Sequence, residues 1–171
     1  MNMRPLLYFA YGSNMCISRF QRRAPNAEAF SVGRLSRHQL VFHKRGADGS
    51  GKCTIWKDSS SEYQVFGVLY LIDEEEKYQL DLEEGLGNGY DNVMVEIITA
   101  EGKMNACTYM ANESHYDSSL DPFQWYLEYV MKGAFEHRLP EYYISRIGDV
   151  KTALDPNRER AFKNGSILRA A

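Results

Sequence analysis

The sequence predicts a single α+β domain. Three observations carry that expectation. Strand-like runs come in succession and the helical patterns are grouped later, which is the order of an α+β fold and not of an alternating parallel sheet. No internal repeat and no long linker interrupts the chain. At 171 residues, one domain is accommodated comfortably and two only with strain.

The elements follow in order. Leu6 to Tyr11 is an apolar and aromatic run ending at Gly12 and reads as a buried strand. Ser13 or Asn14 can cap a following helix that carries Met15, Ile17 and Phe20 beside Arg19, Arg22 and Arg23, and Pro25-Asn26 ends it. Residues 29–45 hold apolar and β-branched positions that suit one or two strands. Ala47 to Lys52 is a Gly/Asp/Ser turn, and Cys53 to Trp56 and Gln64 to Ile72 are further strands. Asp73 caps a helix whose acidic first turn, Glu74-Glu75-Glu76, complements the positive end of the helix dipole. That helix runs to about Glu83 and is stopped by Gly85, Gly87 and Gly89. Tyr90 to Thr99 and Lys103 to Ala111 pair as a hairpin around Glu101-Gly102. Pro122 to His137 is an amphipathic helix with Phe123, Tyr126, Leu127 and Val130 on one face. Leu139-Pro140 opens a shorter one, and a polar tail fills about 149–171.

Composition excludes several classes. The chain is 44% hydrophobic and 25% charged, close to the globular average. A net charge of −3 disfavours a general nucleic-acid binder. Cys16, Cys53 and Cys107 form no CxxC pair, and the four His include no HExxH, so neither a metal nor a redox motif is signalled and no cofactor is expected. The apolar run near the N-terminus is too short for a secretory signal, and no stretch approaches the roughly 18 apolar residues of a membrane span, so a cytoplasmic location is expected. Aromatic residues are abundant, with twelve Tyr and eight Phe. Tyr joins an apolar body to a polar tip and suits a core or a ligand pocket.

Four motifs invite a chemical reading. Gly46 to Cys53 nearly matches a phosphate-binding GxxxxGK[ST] loop, but Cys53 stands in place of the hydroxyl and the segment opens a strand-like run, so a surface turn is the better reading. Residues 19–45 are basic and 73–101 acidic, an asymmetry that ordinary solvated faces explain. Tyr8-Phe9-Ala10-Tyr11-Gly12-Ser13-Asn14-Met15 runs a buried strand into a turn that aims successive N–H groups at one point, an anion or oxyanion cradle. Leu80-Asp81-Leu82-Glu83-Glu84-Gly85 places carboxylates on the last turn of a helix, where the dipole opposes their charge, a setting that suits a general base.

Together these segments resemble the γ-glutamylcyclotransferase family. The segment from Tyr8 to Met15 is similar to its N-terminal signature, and Leu80 to Gly85, followed by Gly89-Tyr90, to the segment bearing its catalytic Glu. Phe123 to Leu127 and Gly133 to Tyr142 resemble its late helix and the stretch after it. The blocks come in the right order over about residues 6–147. Asn14 sets the chain apart from the glutathione-specific branch, which usually has Leu there, and the loop after Glu84 is about one residue shorter than in the vertebrate enzymes.

The resemblance implies a small mixed β-barrel flanked by helices in one domain, with no metal or cofactor. It implies that a γ-glutamyl amino acid or amine is cyclised to 5-oxoproline by attack of its α-amine on its own γ-carbonyl. Glu84 matches the catalytic acid/base. Tyr11, Gly12, Ser13, Asn14, Tyr90 and Tyr126 match positions that bind substrate. The expected partner is that small molecule, with no nucleic acid or membrane, in a monomer or homodimer. The alternatives are a non-catalytic module binding a small acidic metabolite on the same fold, and a partner- or nucleic-acid-binding protein using the basic 19–45 segment.

Overall fold

A computed structural model of the protein describes residues 5–60 and 62–170. Five strands close into a barrel in the order β1 (Leu6–Ala10), β5 (Gln64–Ile72), β2 (Glu28–Ser36), β6 (Tyr90–Thr99), β7 (Gly102–Ala111). All neighbours are antiparallel except β1 and β7, which meet in parallel at Tyr8 and Cys107 and seal the barrel. Strands β3 (His38–Arg45) and β4 (Gly51–Lys57) form a separate two-stranded ribbon. The strand-like region 29–45 is therefore two strands that part at Arg37, one in the barrel and one outside it.

Phe9, Val65, Leu69 and Ile97 lose all solvent contact, and Val68 and Ala10 nearly all. β1 is apolar at successive positions because one of its faces looks into the barrel and the other is covered by helices. The chief cover is α3 (Gln124–Glu136), which buries Trp125, Tyr126, Leu127, Tyr129 and Val130. Gly133 lets α3 press on the turn after β1. A Cβ there would lie 2.5 Å from the Met15 carbonyl carbon and from the Cys16 amide.

That turn departs from the expected capped helix. Ser13–Met15 is a single 3-10 turn, followed by a short α1 (Ile17–Phe20). Neither begins with a side-chain cap: the N-cap positions are Gly12 and Cys16, and Asn14 falls inside the 3-10 turn with its side chain engaged elsewhere, as described below. Helix α2 (Glu74–Glu84) opens with the full capping box of Asp73 and Glu76 and closes on Gly85 at φ 65°. Glu76 also accepts from the Asn26 amide at 2.7 Å, which fixes α2 to the segment after α1.

After α4 (Glu141–Gly148), the region read as a polar tail carries α5 (Arg158–Arg169), packed on α3 and α1. Asp155 anchors it. Its carboxylate accepts from Trp125 Nε1 at 2.8 Å and from Arg160 Nε and Nη2 at 2.7 and 2.6 Å. Asn157 caps the helix through the Arg160 amide. The sequence pattern is weak because no residue of α5 is fully buried.

Two predictions follow from this packing. Gly133→Ala overpacks the α3 contact and costs about 1–3 kcal/mol, read as a lower Tm, whereas Gly148→Ala, whose Cβ would meet nothing nearer than Met131 at 3.4 Å, leaves Tm unchanged or slightly raised. Asp155→Asn releases α5, so limited proteolysis cuts it faster at neutral pH. The Asp155 carboxyl is held at about 2, chiefly by the hydrogen bonds from Arg160, against ~3.9 in an unfolded chain. Its contribution is complete above pH ~4 and is lost as pH falls toward 2, so the parent and the Asn variant converge in Tm across that window.

Candidate active site

The sheet edge at the end of β1 and the last turn of α2 converge on one site. An inner cleft of about 30 Å³ is lined by Tyr8, Tyr11, Gly12, Ser13, Asn14, Cys53, Glu84, Tyr90, Tyr109 and Tyr126. All seven residues singled out in the sequence lie on its wall. It adjoins an outer chamber of about 470 Å³, and Ser13, Glu84, Tyr90 and Tyr126 line both.

Glu84 is the carboxylate turned inward. Its side chain is 16% exposed, while that of neighbouring Glu83 is 55% exposed. Glu84 Oε1 accepts from Asn14 Nδ2 at 2.9 Å and from Arg23 Nη1 at 2.8 Å. Arg23 also donates to Asn14 Oδ1 at 3.0 Å, and Asn14 Nδ2 donates to the Tyr8 hydroxyl at 2.9 Å. The guanidinium thus offsets the negative helix end that opposes Glu84. Both bonds fall on Oε1, and Oε2 takes no hydrogen bond among the described residues.

Across the cleft, the chain turns at Gly12. A Cβ there would lie 2.9 Å from Cys53 Cβ and 3.6 Å from the Tyr126 hydroxyl, so glycine lets the backbone come this close. The amides of Gly12, Ser13 and Asn14 donate to no acceptor among the described residues.

The tyrosines are held by backbone groups. Tyr90 donates to the Cys53 carbonyl at 2.6 Å, and Tyr126 accepts from the Cys53 amide at 3.0 Å, which leaves the Tyr126 O–H to donate elsewhere. Tyr11 donates to the Tyr109 carbonyl. Burial holds Tyr11, Tyr90 and Tyr126 well above the usual phenol range, so they act as neutral hydrogen-bonding groups and not as bases. Burial also pushes the Cys53 thiol up to about 12, which removes it as a nucleophile.

Sequence reading left four participants out. Tyr8 and Tyr109 fall on expected strands with no role assigned to either, yet both line the cleft, and Tyr109 donates to Asp81 of α2 at 2.6 Å. Arg23 read as one charge among many in the basic segment. Cys53 read as the end of a false phosphate loop, which in fact is a hairpin turn entering β4. The only available signal for Arg23 was its place one short helix after the Gly-Ser-Asn turn. The rest of the basic segment disperses, with Arg22, Arg34 and Arg37 exposed on different elements. Among the described residues no group of His, Cys, Asp or Glu is placed to hold a metal, and no helix is long and apolar enough to cross a membrane.

The model of the AIG2-like family matches residues 64–147. The γ-glutamylcyclotransferase of Homo sapiens is 33% identical over 158 residues, covering 88% of this chain and 79% of that protein. The Bos taurus protein of the same name is 32% identical over 151 residues, covering 85% and 78%. A solved structure titled γ-glutamyl cyclotransferase superposes with a TM-score of 0.87 at 26% identity, over 98% of this chain and all of the other. With a relative 33% identical over 88% of this chain and 79% of its own length, the chain belongs to the γ-glutamylcyclotransferase family.

Proposed function

We propose that the protein cyclises a γ-glutamyl amino acid or γ-glutamyl amine to 5-oxoproline and releases the free amine. One observation carries the reading. Glu84 and the turn Gly12, Ser13 and Asn14, whose amides donate to no acceptor among the described residues, line one narrow cleft, and the Asn14 side chain joins them through Nδ2 at 2.9 Å from Glu84 Oε1.

The α-amine and γ-carbonyl belong to one molecule, so holding the folded conformer supplies the proximity. Glu84 Oε2 takes a proton from the α-ammonium. The freed amine attacks the γ-carbonyl, a C–N bond forms, and the carbonyl oxygen becomes an oxyanion. The backbone amides and the Tyr126 hydroxyl are the donors for that oxyanion or for the substrate's carboxylate. The tetrahedral centre collapses, the original amide C–N bond breaks, and the leaving nitrogen departs with the proton carried by Glu84. The ring nitrogen gives up two hydrogens in all, and the leaving nitrogen gains two and departs as an ammonium. Arg23 and Asn14 hold Oε1 so that Oε2 points to the reacting nitrogen, which makes them positioning residues. No step calls on a metal or cofactor.

Glu84→Gln is expected to lower kcat for 5-oxoproline release about 10²–10⁴-fold, the usual range for a lost acid/base. Glu83→Gln produces a far smaller change. The assay is 5-oxoproline formation from γ-glutamyl-alanine and a panel of other γ-glutamyl compounds. Full activity in Glu84→Gln, or no product from any member of the panel, overturns the reading.

A further inference from the structure

The outer chamber is built differently from the inner cleft. Its wall carries five cations, Arg19, Arg23, Lys44, Lys52 and Arg160. Three are matched by acids: Arg23 by Glu84 at 2.8 Å, Lys52 by Asp48 at 2.7 Å, and Arg160 by Asp155 at 2.6 Å. Lys44 and Arg19 make no ion pair among the described residues.

Both unmatched cations are held in place by the fold. Lys44 follows a register shift in the β3–β4 ribbon between Val41 and Lys44, a bulge of the kind that re-aims a side chain. Its ammonium sits 4.7 Å from the centre of the Tyr90 ring, at the junction of the two chambers. Gly89, at φ 133°, makes the room. A Cβ there would lie 2.9 Å from Lys44 Cε and 3.1 Å from Nζ. Arg19 stacks 4.5 Å from the centre of the Tyr129 ring, and its buried Nε has no hydrogen-bond partner. Burial lowers the affinity of both side chains for their protons, and the acids in reach, Glu84 for both and Asp48 for Lys44, offset this only in part.

We propose that this chamber receives the leaving amine and selects amines that bear two carboxylates, an acidic amino acid in the first instance, with Lys44 and Arg19 each taking one. The proposal rests on the cyclisation reading and specifies its substrate. Any α-amino acid brings one carboxylate to the chamber, which matches one of the two cations and leaves the other desolvated and unpaired. A second carboxylate matches both. The volume of about 470 Å³ is ample for such a group.

The test compares 5-oxoproline release from γ-glutamyl-glutamate and γ-glutamyl-glutamine, which are nearly isosteric and differ in one charge. The expected ratio of kcat/KM favours the glutamate compound about tenfold or more, the effect of one hydrogen-bonded charge pair. Lys44→Gln moves that ratio toward one, mainly through KM, and Arg19→Gln does the same; Lys44→Gln decides the matter if the Arg19 variant unfolds. Arg45→Gln is the control for general charge, since Arg45 is 57% exposed, is paired with Asp117 and does not line the chamber. A parent ratio at or below one, an unchanged ratio in Lys44→Gln, or an equal fall in Arg45→Gln overturns the proposal. If neither compound is cyclised while γ-glutamyl-alanine is, the subsite proposal is overturned and the catalytic reading stands; if no γ-glutamyl compound is cyclised, the catalytic reading fails, and calorimetric titration of the two compounds decides the subsite. Tighter binding of the glutamate compound supports it, and equal or absent binding overturns it.

Discussion

A carboxylate at the wrong end of a helix is the constraint on which the rest of the site depends. Glu84 closes α2, where the negative end of the helix dipole repels negative charge. Arg23 supplies the compensating charge, and Asn14 ties the pair to the turn that follows β1. Those three side chains come from three separate segments. The capping box starts α2, Glu76 on the Asn26 amide ties it to the segment that carries Arg23, and the close seat of α3 at Gly133 secures the β1 turn. The chemistry therefore rests on helix ends and a turn, while the barrel sets the distance between them.

Cys53 is the second junction. Its amide and carbonyl hold Tyr126 and Tyr90, so one residue of the β3–β4 ribbon fixes two hydroxyls contributed by α3 and β6. Pairing with β3 would otherwise occupy those backbone groups. The β3–β4 register shifts between Val41, opposite Thr54, and Lys44, opposite Lys52, so Cys53 has no partner across the ribbon and its amide and carbonyl are left for the two tyrosines.

The sequence made the elements legible wherever a local signal and the tertiary outcome agreed. The α2 cap, the β6–β7 hairpin and the buried face of α3 follow from capping chemistry, turn residues and periodicity. The seven cleft residues were legible only through ordered resemblance, because a Tyr or a Gly-Ser-Asn turn has the same local appearance in a core as in a pocket. Three features were hidden for stated reasons. Asn14 looked like a cap, but its amide joins a network formed with residues up to seventy positions away. The helix α5 lacks a fully buried face and depends on Asp155, whose partners Trp125 and Arg160 no periodicity reveals. Arg23 was one of several basic residues, and only the fold distinguishes it from exposed Arg22.

The two chambers divide the electrostatics of the reaction. The inner cleft is walled by tyrosines whose burial keeps them protonated and by a thiol that burial also keeps neutral. On the proposed mechanism none of them competes for the proton that travels from one nitrogen of the substrate to another, and among the described residues of the cleft wall Glu84 is the carboxylate left to carry it, with one oxygen held by Asn14 and Arg23 and the other open. The two cations without an ion pair among the described residues, Lys44 and Arg19, line the outer chamber, where on the proposed reading a departing group that carries carboxylates can use their charge. A cation near the α-amine favours its neutral form, so Arg23, held on Glu84 Oε1, works in the direction of the deprotonation that the proposed attack requires.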